Sequence, residues 1–321
     1  MSDYPFRMIR HDLHEPRGSE VVEHLRARPA ATHGGALFET RDLYRPSKEL
    51  EIAMNAAIAI GAPLLLTGEP GTGKTQAAYF AAWQLGLDKP IHFQAKTTSH
   101  ANDLLYEFDT VRYFRDAYLQ GLSGERDAAR LDKNDYIEPR PLWRAFKMGK
   151  RLNRPAVLLI DEIDKAPRDF PNDLLHEVQE MRFRIKETGD EIACEPSLRP
   201  IVFITSNDER RLPDAFLRRC VSHHIELTEP LLHDAVAAHA GRFPNLSPEF
   251  TDLAIRRLIA IRSRAKEKPP ATGELLAWLQ VLAISVGNDP KRLENTDLSK
   301  LPHLEVLLKT PEDREAVLRG R

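Results

Sequence analysis

The chain has 321 residues, 42% hydrophobic and 29% charged, an ordinary globular composition with room for two domains. Its formal charge of -2 excludes a global basic field that would draw nucleic acid or an anionic membrane. The longest apolar run, 56–66, is broken by Gly61 and Pro63 and is too short to span a bilayer.

Residues 1–40 read as a leader rich in Arg, His, Glu and Gly, in which 21–25 could open a short helix. His11, His14, His24 and His33 have no ligand spacing and read as surface histidines. The polar start is unlike a signal peptide, and Cys194 and Cys220 form no C-x-x-C pair. Reduced thiols in a cytoplasmic protein are expected.

Ser47 is placed to cap a helix over 48–60, which stops at Gly61 and feeds the apolar strand Leu64-Leu65-Leu66-Thr67. Next comes Gly68-Glu69-Pro70-Gly71-Thr72-Gly73-Lys74-Thr75, the phosphate-binding loop pattern G-x-x-x-x-G-K-T. A helix follows over 76–85, so the strand, loop and helix stand in the order the motif requires. Gly71 and Gly73 let the backbone wrap a phosphate, Lys74 is placed to reach β- and γ-phosphates, and the Thr75 hydroxyl to hold Mg²⁺. The bland alternative is a glycine turn with a solvated lysine, and the flanking elements disfavour it.

A second strand alternates over 91–96. About sixty residues then intervene before the third, far more than a helical crossover needs. In that stretch 103–122 has helical spacing, 124–135 is charged, and 141–152 supplies another helix. The aromatic-rich insertion reads equally as extra packing or as a partner-contacting element. Ala156-Val157-Leu158-Leu159-Ile160 then delivers Asp161-Glu162 at a strand tip. Adjacent carboxylates there suit a Mg-nucleotide site, with Asp161 on the metal and Glu162 polarising the attacking water. A strand running into an acidic helix start is the alternative, and the upstream loop disfavours it.

A helix over 171–181, a hairpin with its turn at Gly189-Asp190, a buried strand ending at Asn207, a helical stretch over 210–219 and a strand over 221–227 complete the first domain. Beyond Pro230 only helices are expected, over 231–242, 247–266, 272–286 and 311–318. Strands alternating with helices imply a parallel sheet covered by helices.

GEPGTGKT at 68–75, VLLIDEID at 157–164, ITSN at 204–207 and DAFLRRC at 214–220 occur in the order of an AAA+ ATPase, and the chain resembles that superfamily over about 40–321. The hairpin, the insertion and the tail LPHLEVLLK at 301–309 look most like the MoxR branch. The resemblance implies an α/β P-loop NTPase fold: a five-stranded parallel sheet in the order 5-1-4-3-2 over 41–228 and a C-terminal α-helical lid over 229–321. It implies ATP and Mg²⁺ as cofactors, bound at the strand tips between domains. Asn207 would be the sensor that positions water, and Arg218 or Arg219, the latter favoured, an arginine finger. Residues 102–140 would be the helix-2 insert and 182–196 the presensor hairpin. Members form rings, usually hexameric homo-oligomers, and remodel partner proteins, often ones with von Willebrand factor A domains.

One departure stands out. The lid position expected to carry a second sensor arginine holds Thr272-Gly273-Glu274. Arg262, Arg264 or Lys266 could substitute, but a solvated basic helix end explains them better. A nucleic-acid motor of the same superfamily and a non-hydrolysing nucleotide-gated scaffold are the rival readings. Charge disfavours the first, Glu162 and Asn207 the second. Nothing forms an acceptor pocket for a small-molecule kinase.

Overall fold

The computed structural model describes residues 40–123, 131–294 and 296–319. The leader with its histidines and helix at 21–25, and residues 124–130 of the insertion, lie outside the described residues. The chain divides into two compact units. One comprises Pro46–Glu69 and Lys74–Ile225; the other comprises, among the described residues, 40–45, Pro70–Gly73 and the chain from Glu226 onward.

The first unit is built on five parallel strands, β1 (Leu64–Thr67), β2 (Ile91–Gln94), β3 (Val157–Asp161), β4 (Ile201–Thr205) and β5 (Val221–His224). Their order is β2-β3-β4-β1-β5, which read from the other edge is 5-1-4-3-2. Every position of β3 is buried, as are Leu64, Leu65 and Leu66 of β1, so the sheet is covered on both faces. On one face Leu65, Leu158, Ile160, Val202 and Ile204 share a core with Leu142, Phe146, Phe170 and Leu174. The helices come from local signals. Ser47 Oγ accepts the Leu50 N–H at the start of α1 (Lys48–Ile60), and Gly61 closes it in the left-handed region at φ 64°. Helix α2 (Lys74–Gln84) follows the loop.

The insertion corrects the expectation of one helix over 103–122. A short helix, Asn102–Leu105, gives way to a strand, Tyr106–Phe108, which pairs antiparallel with Ile137–Pro139. Asp109 then restarts the chain as a helix, Thr110–Ser123, its carboxylate accepting the Arg112 N–H at 2.8 Å. The ladder satisfies the backbone of 106–108, and the rings of Phe108, Tyr113 and Tyr136 cluster 5.3–6.4 Å apart.

The hairpin pairs Arg182–Arg184 with Glu191–Ala193. Phe183 and Ile185 are buried, and Tyr106 stacks on Phe183 at 6.1 Å while its hydroxyl accepts the Lys186 N–H. The apolar face of the hairpin is therefore packed against the insertion, and its charged face is the exposed one. Pro213 delays the start of the expected helix at 210–219, which spans only Asp214–Leu217, and β5 ends at His224 rather than 227.

The second unit is helical. Glu229–Ala238, Pro248–Arg262, Thr272–Ser285 and Pro311–Arg319 are its principal helices. Ser247 caps the second through the Phe250 N–H, and that helix stops at Arg262, short of the expected 266. Trp278, Phe250, Leu258, Leu279 and Leu282 fill the core, with the Trp278 indole N–H bonded to the Pro302 carbonyl. The 301–309 tail contributes Leu301, Leu304, Leu307 and Leu308 to that core. Its short helix Leu304–Leu307, like Lys291–Glu294, is too brief for a periodic signal.

Candidate functional site

Parallel strands place the loops after β1, β3 and β4 at one edge of the sheet, and the candidate residues converge there. Between Thr67 and Lys74 the backbone turns through positive φ at Gly68, Gly71 and Gly73 (137°, 82° and 91°). A Cβ at Gly68 would collide with the Ile225 carbonyl, so only glycine fits. Lys74 is buried, and its ammonium donates to the Gly68 and Glu69 carbonyls at 2.7 and 2.8 Å. Burial pulls its pKa down, partly offset by the carboxylates of Asp164 and Asp161. Thr72 is also buried.

The Thr75 hydroxyl donates to Asp161 Oδ1 at 2.9 Å, and Thr205 donates to the same oxygen at 2.5 Å. His92 Nε2 lies 3.1 Å from Oδ2. Burial works to raise the Asp161 carboxyl, but the bonds from His92, Thr205 and Thr75 outweigh it and hold the group below its ordinary value. A hydroxyl and an ionised carboxylate facing each other at a helix start are hard oxygen donors, the set that Mg²⁺ prefers. A cradle closed by glycines, with a buried ammonium in it, fits the phosphates that accompany the metal.

Glu162 stands in the left-handed region at φ 56°, with its N–H on Thr205 Oγ1. Gln94 donates to its Oε2 at 2.9 Å, and Lys165 pairs with Oε1 at 2.8 Å. Asn207 Nδ2 is 3.4 Å from Oε1. Burial works to raise the Glu162 carboxyl; the bonds from Lys165 and Gln94 prevail and keep it below the usual range. An ionised carboxylate beside an amide is equipped to orient a water and accept its proton. Asp164, itself buried, accepts the N–H groups of Asn207 and Glu209 and so fixes the turn that carries the amide.

Arg218 and Arg219 are placed elsewhere. They precede β5, whose Val221 pairs with Leu64 at the start of β1, so they lie at the strand-start edge, opposite the loop. Both are exposed, both line a crevice with Ile60, Pro63 and Phe216, and Arg219 donates to the Ala215 carbonyl. In the helical unit Glu274 caps the Ala271 N–H, while Arg262 and Arg264 donate to the Pro270 and Val317 carbonyls.

Sequence reasoning overlooked His92, Gln94, Thr205, Asp164 and Lys165. His92 and Gln94 alternate with Ile91 and Phe93 in β2, so the strand period already put both on one face. The acids they would meet become visible only once the register of β2 on β3 is known, with Gln94 opposite Asp161.

Residues 63–220 match the family model of the AAA domain, dynein-related subfamily. No curated protein matches the chain. Among solved structures the chain is similar to a candidate ATPase from Cytophaga hutchinsonii ATCC 33406, at 14% identity over 77% of each chain with a TM-score of 0.39. It is also similar to NtrX from Brucella abortus in complex with ADP, at 16% identity over 87% of this chain and 62% of that one, with a TM-score of 0.47. Among the described residues no helix is long and apolar enough to cross a membrane.

Proposed function

We propose, from the premise that residues 63–220 are an AAA domain, that the protein hydrolyses ATP and uses the cycle to remodel a partner protein. The observation that carries this reading is the convergence of Lys74, Thr75, Asp161, Glu162 and Asn207 on one strand edge. Gly68 to Gly73 and Lys74 cradle the phosphates, and Thr75 and Asp161 hold Mg²⁺, which when bound neutralises charge on the β- and γ-phosphates. Glu162 orients the attacking water and takes its proton, and Asn207 aligns that water. Arg219, at the far edge of its own sheet, serves the site of a neighbouring copy in a ring, hexameric by the resemblance to the MoxR branch. A cytoplasmic setting accords with this reading.

The client is a protein, and the insertion is the surface that meets it. Val111, Phe114, Tyr118 and Leu119 recur at helical spacing on Thr110–Ser123 and are 81%, 65%, 68% and 55% exposed. An apolar stripe of that kind suits a partner better than water. A partner with a von Willebrand factor A domain is the first to try. Phosphate release is expected from the wild type and not from Lys74→Ala, which loses ATP binding by calorimetry. Unchanged ATP affinity in that variant would overturn the reading. Replacing Phe114 and Tyr118 by Ser is expected to leave basal hydrolysis intact and to abolish its stimulation by the client.

A further inference from the structure

We infer that His92, backed by Tyr79, is a positioning residue that fixes the orientation of the Asp161 carboxylate for Mg²⁺; the inference rests on the Mg-nucleotide reading of that site. Asp161 Oδ1 is engaged by Thr75 and Thr205, and Oδ2 faces His92 Nε2 at 3.1 Å. An ionised carboxylate only accepts, so Nε2 carries the proton, and in the neutral ring Nδ1 is left as an acceptor. The Tyr79 hydroxyl lies 3.3 Å from Nδ1 and supplies the matching donor. The hydrogen-bond chain therefore selects one tautomer of His92.

Thr75 and Tyr79 are four residues apart on α2 and lie on the same face of the helix. The helix thus grips Asp161 twice, on Oδ1 directly through Thr75 and on Oδ2 through Tyr79 and His92. Four side chains from α2, β2 and β3 close a ring. The terminal torsion of an aspartate is soft, and hydroxyls on one oxygen alone leave the carboxylate plane free to swing. A donor on the second oxygen removes that freedom before the metal arrives, the part that outer partners play for metal ligands generally. His92 is not there as filler: its side chain is 30% exposed, whereas that of Asp161 is 9% exposed.

The experiment measures ATP affinity by calorimetry in EDTA and across a Mg²⁺ titration, for the wild type, His92→Phe, His92→Gln and Tyr79→Phe. His92→Phe is expected to keep the Mg-free affinity and to need about tenfold more Mg²⁺ for half of the metal-dependent gain. His92→Gln, whose amide N–H can stand where the Nε2–H stood, is expected to recover most of that loss. In ¹⁵N spectra of the metal-free wild type, His92 is expected as the Nε2–H tautomer, and Tyr79→Phe is expected to keep that tautomer, held by Asp161, while the Nδ1 resonance moves as its donor is lost. An unchanged Mg²⁺ dependence in both His92→Phe and Tyr79→Phe overturns the inference. So does a His92→Gln variant as impaired as His92→Phe, or an Nδ1–H tautomer in the wild type. Should His92→Phe fail to fold, Tyr79→Phe and the wild-type spectrum decide the matter. Wild-type protein that binds no ATP at all refutes the nucleotide-site reading instead.

Discussion

The carboxylate of Asp164 accepts the backbone N–H of Asn207 at 3.1 Å. The same oxygen accepts the N–H of Glu209 at 3.0 Å, and Asp208 between them is held in the left-handed region at φ 59°. One buried side chain, three residues after Asp161, therefore sets the backbone of the turn from which Asn207 reaches Glu162. Asp164→Ala is expected to leave ATP affinity within about twofold while slowing phosphate release about tenfold, since a small misplacement of an orienting group is costly. Calorimetry and single-turnover phosphate release on the same preparation separate the two effects. Equal losses in both would show that Asp164 supports the phosphate loop rather than the Asn207 turn.

Glu162 and Lys165 make a second prediction, with a sign. Glu162→Gln is expected to bind ATP and hydrolyse it about a hundredfold more slowly, the usual scale for a lost general base. The Lys165 ammonium helps to hold the Glu162 carboxyl below its ordinary value. Removing it in Lys165→Ala lets that value rise, so the fall in turnover on the acid side begins at a higher pH than in the wild type. A pH profile of single-turnover rates checks this; an acid limb unmoved in Lys165→Ala would mean that Glu162 is not the titrating group.

The phosphate-loop and acidic-pair patterns were legible in short runs of sequence, and the order of the sheet only through the resemblance those patterns carry. The partners of those groups were not. Gln94 and Glu162 are 68 positions apart, and nothing in either segment names the other until the ladder sets Gln94 against Asp161. The stretch 103–122 was misread for a different reason. Leu104, Leu105, Phe108 and Val111 satisfy a helical period, but Tyr106 and Phe108 also satisfy a strand period, and the distant segment Ile137–Pro139 decides between them. The hairpin showed the right pairing but not which face was spare, since Phe183 is claimed by Tyr106, Trp143 and Phe146 from elsewhere in the chain.

A stability prediction comes from the helical unit. Asp313 is buried and accepts the N–H groups of Lys266, Glu267 and Lys268 and the hydroxyl of Thr310. Burial works to raise its carboxyl, the backbone bonds outweigh it, and the pKa falls from 3.8 to about 2. A depressed carboxyl stabilises the fold fully above its unfolded value, and that contribution is lost as pH falls toward 2. The interval is worth about 2 kcal/mol. Asp313→Asn is therefore expected to melt several degrees lower than the wild type near neutrality, with the gap closing as the pH approaches 2. A constant gap across that range would assign the loss to packing instead.

Arg219 makes the last prediction, and it concerns assembly. Val221 pairs with Leu64, so Arg219 stands at the edge where the strands begin, whereas Lys74 and Asp161 stand where they end. A single copy therefore holds its guanidinium away from its own phosphate loop, where it donates to the Ala215 carbonyl at 3.2 Å. Arginine stays charged and can bond two phosphoryl oxygens at once, and a finger supplied in trans is worth about 10³–10⁵ in rate in other phosphoryl-transfer systems. Arg219→Ala is expected to bind ATP as the wild type does and to hydrolyse it slowly. Lys74→Ala is expected to be inactive because its own loop is empty, yet it still carries a finger. Mixing the two is expected to restore part of the activity, since some interfaces then pair an intact loop with an intact arginine. Wild-type turnover per chain is expected to rise with concentration as copies assemble. Mixtures that co-assemble, as shown by light scattering, and remain inactive would exclude a shared site, and so would a monomer whose full turnover is independent of concentration.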